Sequence, residues 1–237
     1  MTSRQIGGLA TTLSGALGAI WFWLETAPPR LGFDDTDDPA VSLAYLHDHP
    51  DIYAQIGLVL LVMTIALIVA AFVAHDLLTA SADATALRVV TAVGLLAAGC
   101  LFMHGVIRLG VQPLLYIHGL DPAWGQSAYV AVQMLTVHGF GQAAITALCL
   151  WAVGVSVIGW RTRSLPAWLA ILGLVPALRL LGVLGPLGLS TLPDAMWIVF
   201  MATIPGVMVW TIAFGLVLML RGPDPGHGAA MVTQAPG

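Results

Sequence analysis

Charge is what this sequence has least of. Lysine is absent, all eight basic side chains being arginine, and charged residues make up 8% of the 237, where a soluble domain carries about a quarter. A chain this poor in charge cannot clothe a water-soluble surface, so for most of its length the solvent must be lipid. The net charge is only -4 and no basic run offers a stripe for phosphates, so nucleic acid is not an expected partner. Cysteine is nearly as scarce. Cys100 and Cys149 both lie inside apolar runs, which excludes a disulfide framework or a zinc knuckle and makes them small buried side chains. Missing too are a Walker loop, a G-x-S-x-G elbow, an H-E-x-x-H pair and a dinucleotide fingerprint in strand context, so no motif names a reaction.

What is present is apolar: 59% of residues are hydrophobic, and the mean hydropathy is +0.92. The runs are near the length that spans about 30 Å of hydrocarbon. They do not alternate as barrel strands would, and a helix satisfies its own backbone groups in lipid. The reading is all-α: a polytopic transmembrane bundle of six helices within 1–221, at about 6–24, 52–74, 87–112, 128–158, 166–187 and 195–220, then a disordered tail over 222–237. Asp51, Asp83, Ser164 and Thr191 stand at expected N-caps, and Pro122, Pro166 and Pro193 at or near first helical positions. The first run is longer than a signal-peptide core of about 7 to 15 residues and reads as a retained span. Pro176 in the fifth run, and Pro205 with Gly206 in the sixth, predict kinks at membrane depth.

Orientation follows from arginine, because short loops keep positive charge on the cytoplasmic side. With the N-terminus inside, Arg4, Arg88, Arg161, Arg163 and Arg221 are all cytoplasmic and only Arg30 is outside, so both termini are expected in the cytoplasm. In the first loop, Asp38 and Pro39 start a short helix through Val41, Leu43 and Leu46, expected on the outer membrane surface. Trp21, Trp23, Trp124, Trp160, Trp168 and Trp197 fall at span ends, as headgroup-level rings do.

Ionisable side chains inside the membrane are costly and therefore candidate functional residues. His104, Arg108, His138 and Arg179 qualify. Cys100, His104, Arg108 and Gln112 recur every four residues along one helix face, and His138, Gln142 and Thr146 do the same on the next span. All four ionisable residues fall on the outer side of the midplane, with Glu25 ending the first span there and Gln55 and Gln133 nearby. The expectation is an outward-facing intramembrane pocket with a net positive lining that binds a small anionic or amphipathic ligand. One version is haem b between His104 and His138, with Arg108 or Arg179 on the propionates. Another is acid/base chemistry, isomerisation or cyclisation, on a lipid-soluble substrate. The bland alternative is interhelical glue, Arg108 and Arg179 pairing with Glu25 and nearby carbonyls. His47, Asp48, His49 and Asp51, near Asp34, Asp35, Asp37 and Asp38, match no metal-ligand spacing and read as a solvated acidic loop.

The Arg4 head running into a glycine-rich first span, the acidic outer loop, and Arg161 to Gly173, reading RTRSLPAWLAILG before Pro176, carry a resemblance. The chain resembles a bacterial family of six-helix membrane proteins classed as a domain of unknown function. That resemblance implies the fold and a bacterial cytoplasmic (inner) membrane, and supplies no catalytic residues. A small-solute transporter and a structural subunit of a membrane complex stand beside the ligand-binding reading; oligomeric state is not legible.

Overall fold

The computed structural model describes residues 2–25, 39–79, 82–118, 122–180 and 194–220. Helix α1 spans Ser3–Glu25 and opens with reciprocal capping, the Thr2 amide donating to Gln5 Oε1 at 2.9 Å and the Gln5 amide to Thr2 Oγ1 at 3.3 Å. The short helix α2, Pro39–Asp48, is the one expected in the first loop, and α3 follows over Pro50–Thr79. Helix α4, Ala84–His118, is capped by Asp83, whose Oδ1 accepts from the amides of Thr85 at 3.0 Å and Ala86 at 2.9 Å. Asp51, expected as a cap, lies instead in the first turn of α3, where an acid still meets the positive end of the helix dipole. Thr191 and Pro193 lie outside the described residues.

The fourth apolar run is not one regular helix. It comprises α5 (Pro122–Gln133), a π-helical segment (Met134–Gly141) and α6 (Gln142–Arg161). In the π-helical segment the Gln142 amide donates to the carbonyl of Val137, five residues back, so Val137 rather than His138 stacks under Gln142. Past α6, Arg163 takes a left-handed φ of 57° to turn the chain. Helix α7 is only Ala167–Leu172, with Pro166 rather than Ser164 at its N-cap and no side-chain capping bond; a turn and a 3-10 segment, Val175–Leu178, follow. The expected continuous fifth span therefore appears, as far as residue 180, as a broken helix. Pro176 has no amide to continue the α ladder. Gly173 packs so closely on Ser156 that an added Cβ would stand 1.8 Å from its Oγ. Helix α8, Asp194–Leu220, runs through Pro205.

Five helices among the described residues are long and apolar enough to cross a membrane: Ser3–Glu25, Asp51–Thr79, Ala84–Val111, Trp124–Arg161 and Ala202–Leu220. Their outward faces are apolar. On α3, Leu58, Val62, Ile65, Ile68 and Phe72 form an exposed stripe at helical spacing, which water would penalise and lipid accepts.

Helix α1 packs between α8 and α3, α3 on α4, and α4 on α6, while α7 and the 3-10 segment bridge α6 to α8. These neighbours run antiparallel. Gly8 lies against Gly215 and Gly15 against Met208, Gly57 against Gly105, and Gly94 against Trp151. At the first of these contacts a Cβ on Gly8 would stand 2.7 Å from the Gly215 carbonyl oxygen, so glycine is what lets α1 and α8 meet backbone to backbone. The core between α6 and α8 is aromatic, with Trp151 edge-on to Trp210 at 5.6 Å and Trp210 stacked on Phe214 at 5.2 Å. Trp210 Nε1 donates to the Leu169 carbonyl at 3.1 Å and ties α7 to α8.

Candidate functional site

At the C-terminal end of α1, Glu25, the sequence's only glutamate, is 21% exposed. Arg108 on α4 is fully buried, and its Nη2 donates to both carboxylate oxygens, at 3.1 and 3.0 Å. Trp21 Nε1, one turn back on α1, donates to Glu25 Oε1 at 3.2 Å. Beneath the guanidinium lies the ring of Tyr53 on α3, 4.8 Å from the arginine carbon to the ring centroid. Tyr53 is hydrogen-bonded to Tyr129 on α5, whose hydroxyl accepts from Gln133 Nε2. The result is a buried ion pair held from three sides, as a charge in this environment requires.

His104 lies one turn before Arg108 and is 1% exposed. Its Nε2 stands 3.1 Å from Arg108 Nε and 3.4 Å from Glu25 Oε1. The two contacts make opposite demands on one atom. Arginine Nε is only ever a donor, so at the shorter contact His104 Nε2 must accept. The ring hydrogen of the neutral imidazole is then on Nδ1, and the longer Glu25 approach carries no proton between its atoms. Nδ1 has no hydrogen-bond partner among the described residues. It faces Gly141, where an added Cβ would come within 3.3 Å of it.

His104 borders a cavity of about 200 Å³, lined also by Trp21, Phe22 and Glu25 of α1, Val137 and Gly141 of the π-helical segment, Gln142 and Ile145 of α6, and Ile204 of α8. Six of the nine lining side chains are apolar or glycine, and Glu25, His104 and Gln142 supply the polar ones. Arg179, fully buried just past the 3-10 segment, donates through Nη2 to Gln142 Oε1.

Of the six residues expected to build the pocket, Glu25, His104 and Gln142 line it, while Arg108 and Arg179 stand behind, each bonded to a lining residue. His138 is the exception. It is exposed and does not line the cavity, because the wide π turn aligns Val137 with Gln142 in its place. Gln55 is exposed as well, and the side chain of Gln112 lies outside the described residues. These residues do not fit a haem: one histidine faces outward, and the other already has its Nε2 against Arg108. Of the two arginines, Arg108 is matched by Glu25, while Arg179 bonds the neutral Gln142. Trp21, expected at the headgroup level, is instead 5% exposed and edge-on to His104 at 5.8 Å, whereas Trp23, Trp124, Trp160 and Trp168 are exposed as interfacial rings are. Tyr53, Tyr129 and Gly141 gave no sign in the sequence, as nothing local distinguishes them from ordinary core residues. Among the described residues no group of three or more His, Cys, Asp or Glu side chains could hold a metal ion, and His49 stacks on Tyr45 at 4.4 Å.

Residues 11–222 match a family described as Domain of unknown function (DUF4386). The chain belongs to that family. The match begins within the first helix and takes in every residue that lines the cavity, so in this DUF4386 protein the site lies wholly within the family's domain. No curated protein and no solved structure matches the chain.

Proposed function

We propose that this multi-pass membrane protein binds a small amphipathic molecule inside the bundle, its apolar body against Phe22, Val137, Ile145 and Ile204 and its polar end at Glu25, His104 and Gln142. The observation that carries this reading is His104, which lines the cavity and whose buried Nδ1 has no hydrogen-bond partner among the described residues. Leaving such a group unsatisfied costs about 1–3 kcal/mol, a cost a bound acceptor removes. The π-helical segment beside it supports the same reading, since π turns cluster at functional sites.

The reading includes six crossings, with both termini and the arginine-rich loops in the cytoplasm and the cavity toward the outer leaflet of a bacterial inner membrane. Antiparallel packing of α1 on α8 brings residues 3 and 220 to one end of the bundle, which an even number of crossings requires. The broken stretch supplies the missing one. Leu165 sits beside Gly159 at one end of α6 and Arg179 beside Gln142 at the other, so the chain climbs back along α6 as it goes.

Photolabelling tests the pocket. A long-chain alcohol bearing a diazirine, irradiated with the protein in nanodiscs, is expected to label peptides containing Trp21, Val137, Ile145 or Ile204, and Ile145→Phe is expected to suppress that labelling. Label confined to the outward stripe of Leu58, Ile65 and Phe72 would overturn the proposal.

A further inference from the structure

The hydrogen-bond directions at the cavity specify more than an amphipathic ligand. We infer that the molecule it takes carries a neutral carbonyl, a ketone or quinone on an apolar body, held by two donors whose direction the two buried arginines fix. The inference rests on the pocket reading given above and narrows its chemistry.

Each arginine acts as a template. Arg108 Nε, always a donor, makes His104 Nε2 the acceptor and leaves Nδ1–H toward Gly141. Arg179 Nη2, also always a donor, fixes the Gln142 amide with Oε1 toward itself, so that the NH2 is the end Gln142 has left to offer. Both His104 and Gln142 line the cavity beside Gly141, which packs so closely on the His104 ring that an added Cβ would stand 3.3 Å from Nδ1. Two neutral donor residues on one cavity wall suit one carbonyl oxygen, which has two lone pairs. A carboxylate would accept as well, but the remaining polar group on the wall is Glu25, itself a carboxylate, and like charges in a low dielectric repel strongly. A ligand offering only donors would leave both nitrogens unsatisfied.

The experiment sets 2-undecanone, undecane and undecanoate to compete against the diazirine alcohol for cavity labelling in nanodiscs, each corrected for partition into empty nanodiscs. The ketone is expected to compete about tenfold or more better than the alkane, as one or two added hydrogen bonds imply, and better than the carboxylate. In Gln142→Glu, which keeps an acceptor for Arg179 but removes the amide donor, the advantage of ketone over alkane is expected to shrink several-fold. Independently of any substitution, 15N spectra of histidine-labelled protein should show His104 carrying its hydrogen on Nδ1, and that signal should move when ketone is added. Equal competition by ketone and alkane, tighter binding of the carboxylate, or a hydrogen on Nε2 would overturn the inference while leaving the pocket standing. Loss of cavity labelling altogether would remove both.

Discussion

Glu25 and Arg108 illustrate how a membrane interior treats charge. Each alone is expensive there; together they are tolerated because Trp21, His104 and Tyr53 complete the shell. Breaking the pair from one side should therefore cost more than deleting it. Glu25→Gln is expected to destabilise the protein by about 3 kcal/mol, the lower end of the range for buried pairs because Glu25 keeps some exposure. Adding Arg108→Met to Glu25→Gln should recover a large part of the loss, measured as a double-mutant cycle on thermal unfolding in detergent; additive losses would show that the pair is not coupled. At this scale the sequence was informative where one regular helix carried the pattern. The four-residue spacing of His104 and Arg108 placed both on the buried face of α4, and Glu25 stood out as their acidic partner. The same spacing failed for His138 and Gln142, because an i, i+4 argument assumes an α-helix and Met134–Gly141 is not one.

Among the elements, the irregular ones shape the site. The π-helical segment turns Val137 and Gly141 to the cavity, and the break after α7 lets Arg179 reach Gln142. Arg163, by contrast, adopts its left-handed φ of 57° with a side chain that disfavours it. Arg163→Gly is expected to raise stability by about 1 kcal/mol, since glycine meets no Cβ penalty at that conformation, and an unchanged or lowered unfolding temperature would count against this. The α1–α8 seam predicts the opposite sign for added bulk. A Cβ at Gly215 would stand 2.5 Å from the Gly8 carbonyl oxygen, a backbone atom that cannot swing aside. Gly215→Ala is thus expected to cost about 1–3 kcal/mol by overpacking, seen as a lower melting temperature. The sequence predicted a kink at Pro176 within one continuous span, and the structure divides the helix there instead. Packing of Gly173 on Ser156 and of Trp210 on the Leu169 carbonyl holds the divided form.

For the whole molecule, the proposed six-crossing topology makes a direct prediction. Green fluorescent protein fused after residue 237 should fluoresce, and alkaline phosphatase at the same point should be inactive, because both termini are expected in the cytoplasm; the reverse pattern would sink the topology. The lipid-soluble class and the helical architecture follow from the sequence by itself, because hydrophobic run length and backbone satisfaction in lipid are local, one-dimensional constraints. So do the identities of the costly intramembrane residues. What only the tertiary structure decided is how they meet: that Arg108 reaches both carboxylate oxygens of Glu25, that His138 is exposed, and that His104 Nδ1 is buried beside Gly141 with no partner among the described residues. Those outcomes depend on helix register and on donors and acceptors brought together from α1, α4, α6 and the broken stretch, and no pattern within a single helix encodes the register of its neighbours.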